Sequence, residues 1–395
     1  MAEGADRAKI RSRRPPNESP PEVSAQQLNR ATLARQMLLR RESVSLEEAV
    51  QRLVALQAQE PASPYIALWT RLADFDPADL DRAFADRQVL KASLMRITLH
   101  AVHVADYGHF HEAMQPTLRA ARLNDARFRV SGLTSSDADG LIPELLDFTA
   151  HPRSNAEVEA WLDRRLGGLP GRSVWWALRT YGPFVQAPTG GPWTFGARPA
   201  YLGAPAVGRT GDPDVALRSL VRRYLRGFGP ATVQDIGQFA LVHRPRVRSA
   251  LEALGDELVT LEGPAGTLYD IVNGVLPDEN VAAPPRLLPM WDSVLLAYAD
   301  RSRVLPEAYR RLVTRSNGDV LPTVLVDGRV CGVWRPLESG IEVTAFAPLA
   351  EDAWVALTEE ARSVRQLLAG RDGSAYRRYG RWWQEMPAAD VRLLR

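Results

Sequence analysis

Cysteine is almost absent from this chain of 395 residues. Its one thiol, Cys331, excludes internal disulfides and any cysteine-built zinc site. Lysine is nearly as scarce: Lys9 and Lys91 stand alone among 49 basic residues, and the rest are arginine. Arginine is the better bidentate partner for phosphate and carboxylate, although GC-rich coding gives the same bias. No uncharged apolar run reaches about 18 residues, which excludes a membrane-spanning helix. The basic opening MAEGADRAKIRSRRPP is followed by no apolar core, so no secretory signal is expected. The signatures GxxxxGK[ST], GxGxxG opening a helix, HExxH and GxSxG are all missing, which weighs against phosphoryl transfer and dinucleotide chemistry.

What is present fits a packed, soluble, cytoplasmic protein without a membrane partner. The chain is 45% hydrophobic, enough for packed cores. At roughly 100–200 residues per domain its length suggests several domains. The net charge is only +2, but it is unevenly spread. Between residues 218 and 248 lie Arg218, Arg222, Arg223, Arg226, Arg244, Arg246 and Arg248 against one acid, Asp235. A basic surface on a neutral body suits a protein that grips a polyanion on one side; the alternative is a solvated helix face.

Residues 1–22, polar and proline-rich, read as a disordered basic tail. Helical spacing is expected over 27–40, over 46–56 after the N-cap Ser45, over 65–72 and over 76–86. The β-branched, alternating stretch 94–104 reads as one strand. A second unit opens with helices over 142–148, 155–165 (led by a capping box, Ser154 with Glu157) and 173–181. Residues 183–187 and 193–197 then flank Pro188-Thr189-Gly190-Gly191, a hairpin signal. Of the adjacent Trp175 and Trp176, at least one is expected in the core. The three-helices-then-hairpin order recurs with helices over 215–227, 232–239 and 244–254 and strands over 257–261 and 267–272. The expected fold is therefore α+β: a first winged-helix module over 23–135, a second over 136–205, a third over 206–275, and a mixed C-terminal region over 276–395. In that last region Asp327-Gly328 marks a hairpin between 323–326 and 329–334, with a strand over 341–346 and a helix over 352–368.

Two clusters invite chemistry. His100, His103, His109 and His111 fall within one twelve-residue window, but on a strand the first two point to opposite faces and acidic partners are few. Structural or phosphate-contacting histidines are expected there, and no metal. Gln57-Ala58-Gln59 is the other cluster. Two amides at i and i+2 diverge on a helix but share a face once the chain extends, and Pro61 favours such an unwinding.

The flanks of that triplet resemble a known family. LNRATLARQ (28–36), LVALQAQEPASPYIALWTRL (53–72), LMRITLH (94–100), GFGPATVQDIGQFA (227–240), RLLPMWDSVLLAYADRSRVLP (286–306) and PTVLVDGRVCGVW (322–334) are similar, in order, to the AlkZ-type DNA glycosylases of the AlkZ/YcaQ winged-helix family. The resemblance implies a monofunctional glycosylase of tandem winged helices in a C-shaped body, acting without a cofactor on double-stranded DNA, and expected to be monomeric. The family's catalytic Q-Φ-Q element matches Gln57-Ala58-Gln59, as in the AlkZ branch; the YcaQ-like branch has Asp third. That branch is associated with removal of N7-alkylguanine adducts, with crosslink unhooking in some members, and with self-resistance to DNA-alkylating natural products. Glu60 is the carboxylate alternative. Arg244, Arg246 and Arg248, on the third helix of the third module, are candidate phosphate contacts. Asp327 and Gly328 either enter a DNA groove or only complete a sheet. A winged-helix regulator or lesion-sequestering protein that binds DNA without chemistry is the rival reading, and a histidine-metal hydrolase ranks behind both.

Overall fold

A computed structural model describes residues 20–384 and 386–395. The tail expected over 1–22, with Lys9, lies outside these residues as far as residue 19. The architecture is α+β, and every pairing between strands is antiparallel. No helix among the described residues is long and apolar enough to cross a membrane.

The first sheet has six strands: β1 Leu56–Gln57, β2 Val89–Ser93, β3 Leu99–His103, β4 Arg153–Ser154, β5 Phe184–Ala187 and β6 Ala200–Gly203, in the order β1-β3-β2-β5-β6-β4. A two-stranded hairpin joins β7 Leu258–Gly263 to β8 Gly266–Ile271. The third sheet runs β13-β12-β11-β10-β9, built from β9 Arg286–Leu288, β10 Thr323–Val326, β11 Arg329–Leu337, β12 Gly340–Ala345 and β13 Asp390–Leu394.

Besides a small cluster of Val23, Leu28, Leu261 and Leu268, the described residues hold two large apolar cores. One packs the Ala62–Arg71 and Glu351–Ala369 helices on the five-stranded sheet. The other gathers the Val104–Leu123, Gly171–Tyr181 and Pro213–Phe228 helices. The six-stranded sheet divides them, because strand side chains alternate between faces. Leu56, Ala58, Val89 and Ala101 belong to the first core, and Leu90, Ala92 and Val102 to the second. A one-residue slip would exchange these sets, so the register of β1 is firmly specified.

Local signals set most helix starts. Ser45 Oγ accepts from the Glu48 amide, and Ser154 with Glu157 forms the expected reciprocal box. The structure departs from expectation at four places. The first helix, Ala25–Arg35, stops before residue 40 because Met37 turns left-handed (φ 55°) and carries Met37 and Leu38 into the core. The second, Leu46–Arg52, stops before 56: Val54 is left-handed (φ 66°), and Leu56–Gln57 pairs with Ala101 and His100 instead. Residues 94–104 are not one strand. Arg96 and Ile97 both have positive φ (53° and 58°), so the chain reverses and only Leu99–His103 is extended, antiparallel to β2. Residues 193–197 form no strand either; β5 pairs with β6. Trp193 is spent on packing, its ring 5.2 Å from Tyr65, while Phe195 sits edge-on to Phe84 at 4.8 Å.

Candidate functional site

The site begins with β1. Ala58 is buried on the first core and its amide donates to Leu99 O at 2.8 Å, prolonging the extended backbone past Gln57. With Leu56 and Ala58 pinned on one face, Gln57 and Gln59 share the other. Their side chains touch: Gln57 Nε2 donates to Gln59 Oε1 at 2.6 Å. Gln57 is buried and Gln59 exposed.

Arg96 fixes which way these amides face. From the strained turn between β2 and β3, its Nη2 donates to Gln57 Oε1 at 3.0 Å and lies 3.2 Å from His100 Nε2. A guanidinium can only donate. Gln57 must therefore turn its oxygen to Arg96 and its NH2 to Gln59. For the same reason His100 accepts at Nε2 and carries its proton on Nδ1, which faces Thr98 O at 3.0 Å. Burial, with Arg96 next, drives the His100 pKa down to about 3, so the ring is neutral. Burial and Arg301 lower the Arg96 guanidinium to about 10, still charged at neutral pH. Consecutive left-handed non-glycine residues are costly and cluster at functional sites. Nothing in the local pattern points to Arg96, whose partner lies 39 residues earlier in the chain.

Gln59 also borders a cavity of about 190 Å³ lined by Thr98, Arg122, Trp176, Arg179 and Tyr201, among others. Trp175 is fully buried, while Trp176 lies on the cavity wall. Lys91 lines it too, but its ammonium stands 4.3 Å above the Phe195 ring. Burial lowers that lysine to about 8. Glu60 is engaged elsewhere: its Oε2 meets Arg378 Nη2 at 2.7 Å, and burial raises its pKa while Arg378 and Tyr379 pull it back.

The four clustered histidines take separate positions. His103 Nδ1 caps the Val104–Leu123 helix, accepting from the Ala105 amide. His111 is buried, with Nε2 3.0 Å from Tyr181 O. His109 has a buried Nδ1 with no hydrogen-bond partner. Among the described residues no group of three His, Cys, Asp or Glu side chains converges as a metal ion would require.

The basic stretch is partly neutralised from outside. Arg222 pairs with Glu257, Arg223 with Asp106 and Arg246 with Asp214. Arg244 and Arg248 are exposed on the Arg244–Leu254 helix. These arginines and the two glutamines belong to different elements, and no contact joins them.

The Asp327-Gly328 turn is clasped by the first helix. Arg30 donates to Asp327 O at 3.2 Å and forms an ion pair with its carboxylate, while Asn29 Nδ2 donates to Gly328 O at 2.8 Å. Gly328 is left-handed (φ 73°), and a Cβ there would lie 2.5 Å from Leu33 Cδ1. The Asp327 side chain remains 67% exposed.

A model of the family described as DNA glycosylase AlkZ-like matches residues 50–367, a span that holds Gln57, Gln59 and Arg96. The interstrand DNA cross-link repair glycosylase of Streptomyces sahachiroi is 28% identical over 350 residues, 84% of this chain and 93% of that protein. The solved structure of Streptomyces sahachiroi DNA glycosylase AlkZ has a TM-score of 0.77 to this fold at 25% identity, covering 88% of this chain and 97% of its own. With the family match running through most of the chain, including the Gln-Ala-Gln stretch and the whole six-stranded sheet, the protein belongs to the AlkZ-like DNA glycosylases.

Proposed function

We propose that this enzyme hydrolyses the N-glycosidic bond of N7-alkylguanine in duplex DNA, including bulky natural-product adducts and interstrand crosslinks, and so protects its host from a DNA-alkylating antibiotic. The observation that carries this reading is the amide pair. Gln59 is exposed at a cavity, and its oxygen is held by an amide that Arg96 has already oriented.

The chemistry needs little more. Guanine alkylated at N7 is cationic and departs as a neutral base, taking the C1′–N9 bonding pair. Protonation of the leaving group is unnecessary. A water must then add to C1′ while the sugar carries oxocarbenium-like positive charge. Gln59 Oε1 has a second lone pair, able to accept from that water and to present a negative dipole to the sugar. An amide is a poor base at neutral pH, so it orients the water and the proton leaves to solvent. Gln57 positions Gln59.

In the same proposal the segments of three helices and a hairpin are winged-helix modules forming a C-shaped body, and the enzyme works as a monomer. The third module's unit of Pro213–Phe228, Val233–Ala240 and Arg244–Leu254 with β7 and β8 supports that plan. Arg244, Arg246 and Arg248 contact phosphates, and the Asp327 side chain approaches the duplex from a turn anchored on the first helix.

The test is base release from duplexes carrying N7-methylguanine or a bulky guanine adduct, with abasic sites read by alkaline cleavage. Wild type should release base, and a Gln57→Ala/Gln59→Ala variant should be slower by about a hundredfold or more. Release from the bulky adduct alone would support dedicated self-resistance. No release from either substrate would overturn the reading, and equal release by the variant would overturn the site.

A further inference from the structure

The cavity beside Gln59 is lined by basic residues and by no carboxylate. Leaving aside Lys91, whose ammonium faces Phe195, the charge comes from Arg122 and Arg179, with Arg127 just beyond. Arg122 ends the Val104–Leu123 helix, Arg127 lies on the short Ala126–Arg129 helix, and both converge on one indole. Their Cζ atoms lie 4.4 and 5.1 Å from the Trp176 ring centroid. Arg179 follows Trp176 by three residues on the Gly171–Tyr181 helix, which puts the two on one face. Trp176 thus holds two guanidinium groups against the mouth of the cavity by cation–π attraction.

Like charges gathered this way repel. Burial lowers the Arg122 pKa; Asp125 opposes it, and Arg127 and Arg179 add smaller lowering contributions. Arg122 Nε is buried without a hydrogen-bond partner, and Arg179 donates to the neutral Asn155 Oδ1 at 2.9 Å. Among the described residues none of the three forms a salt bridge. Arg119, one turn before Arg122, shows the contrast: it grips Asp139 with two nitrogens. A cluster of guanidinium forks left without a salt bridge, beside a half-enclosed cavity, is built for an anion that arrives from outside.

We propose that Arg122, Arg127 and Arg179 form a phosphodiester subsite, which holds a backbone phosphate of the damaged strand next to the nucleotide presented to Gln59. The proposal rests on the DNA glycosylase reading above and adds to it a second DNA contact region, separate from the Arg244–Leu254 helix. These arginines position substrate and take no part in bond cleavage.

The test uses the full chain and an undamaged fluorescent duplex, titrated between 50 and 200 mM NaCl. Each phosphate that a variant no longer neutralises should make the slope of log K against log[salt] less negative by about 0.9. R122Q/R179Q, which dismantles this one-phosphate subsite, should therefore lose about 0.9 unit of slope and bind about tenfold more weakly at 100 mM salt. R127Q, which removes one of the subsite's three guanidinium groups, should lose part of that same slope of about 0.9 unit. R362Q, an exposed charge loss on the Glu351–Ala369 helix, should leave the slope unchanged. On damaged duplex the double variant should raise KM about tenfold with kcat within about twofold. An unchanged slope and KM in a cooperatively melting R122Q/R179Q would overturn the subsite, as would an equal shift in R362Q. If the double variant fails to fold, the exposed Arg127 carries the test, and an unchanged R127Q slope overturns the proposal. The binding arm needs no base release, so an inactive wild type sinks the functional reading while the subsite is still judged. Active wild type with unchanged slopes sinks the subsite alone.

Discussion

Gln59 faces the cavity only because Ala58 faces the core. A small apolar residue between two amides was legible as a pattern, and so was the extension it needs, since Pro61 disfavours helix just before it. Arg96 was not legible. Its role depends on two left-handed residues and on a partner in another strand, neither of which leaves a periodic trace. Arg96→Met should free the Gln57 amide to rotate and slow single-turnover excision by about ten- to a hundredfold, with affinity for undamaged DNA unchanged. Arg96→Lys, which can still donate to Gln57 Oε1, should recover part of the rate. Lys91 poses a different question. Its pKa falls from 10.5 to about 8 on burial, so below pH 8 the folded state carries a charge it disfavours, whereas above about 10.5 both states are neutral. Lys91→Met should therefore stabilise the protein by up to about 3 kcal/mol at pH 7, and the gain should shrink as pH rises from 8 toward 10. Urea unfolding of both proteins at pH 7 and 9.5 would show it.

Among the elements, those with chemical punctuation were legible. Caps at Ser45 and Ser154 and the hairpin turns before β8 and β11 are local, within a few residues of the structure they specify. The strand expected over 94–104 failed because β-branched alternation says nothing of a reversal inside it, and the one over 193–197 because Trp193 and Phe195 find partners in the first core. The pairing of β1, from the first stretch of chain, into a sheet with β5 and β6 is likewise a long-range matter. So is the anchoring of the first helix. Arg35 grips both oxygens of Asp270 at 2.7 and 2.6 Å, with both side chains almost wholly buried, and so ties the Ala25–Arg35 helix to β8. Removing one partner strands the other charge. Arg35→Ala or Asp270→Ala should each cost about 3–5 kcal/mol in urea unfolding, and the double variant should cost less than the two combined.

The whole molecule holds buried histidines that resist protonation. Burial lowers His100 to about 3 and His111 to about 4, against 6.5 in an unfolded chain. Between those values the unfolded state binds more protons, so stability falls as pH drops below 6.5. Each ring should contribute a loss of about 2 kcal/mol between pH 7 and pH 5. His111→Gln, whose side chain can still donate to Tyr181 O, should flatten that slope in denaturant titrations. The basic segment teaches the same point at this scale: seven arginines were plain in the chain, but Glu257, Asp106 and Asp214, which neutralise three of them, come from outside it.

The clasp of the first helix on the Asp327-Gly328 turn bears on the order of biosynthesis. Asn29 is made early and its partner Gly328 is 299 residues downstream. At about 5–20 residues per second, the helix leaves the ribosome roughly 15–60 s before its clasp exists. Until then Leu33 and the Arg30 guanidinium have no turn to cover them. The Ala25–Arg35 helix should thus remain open to proteases and chaperones until the Asp327-Gly328 turn has been made.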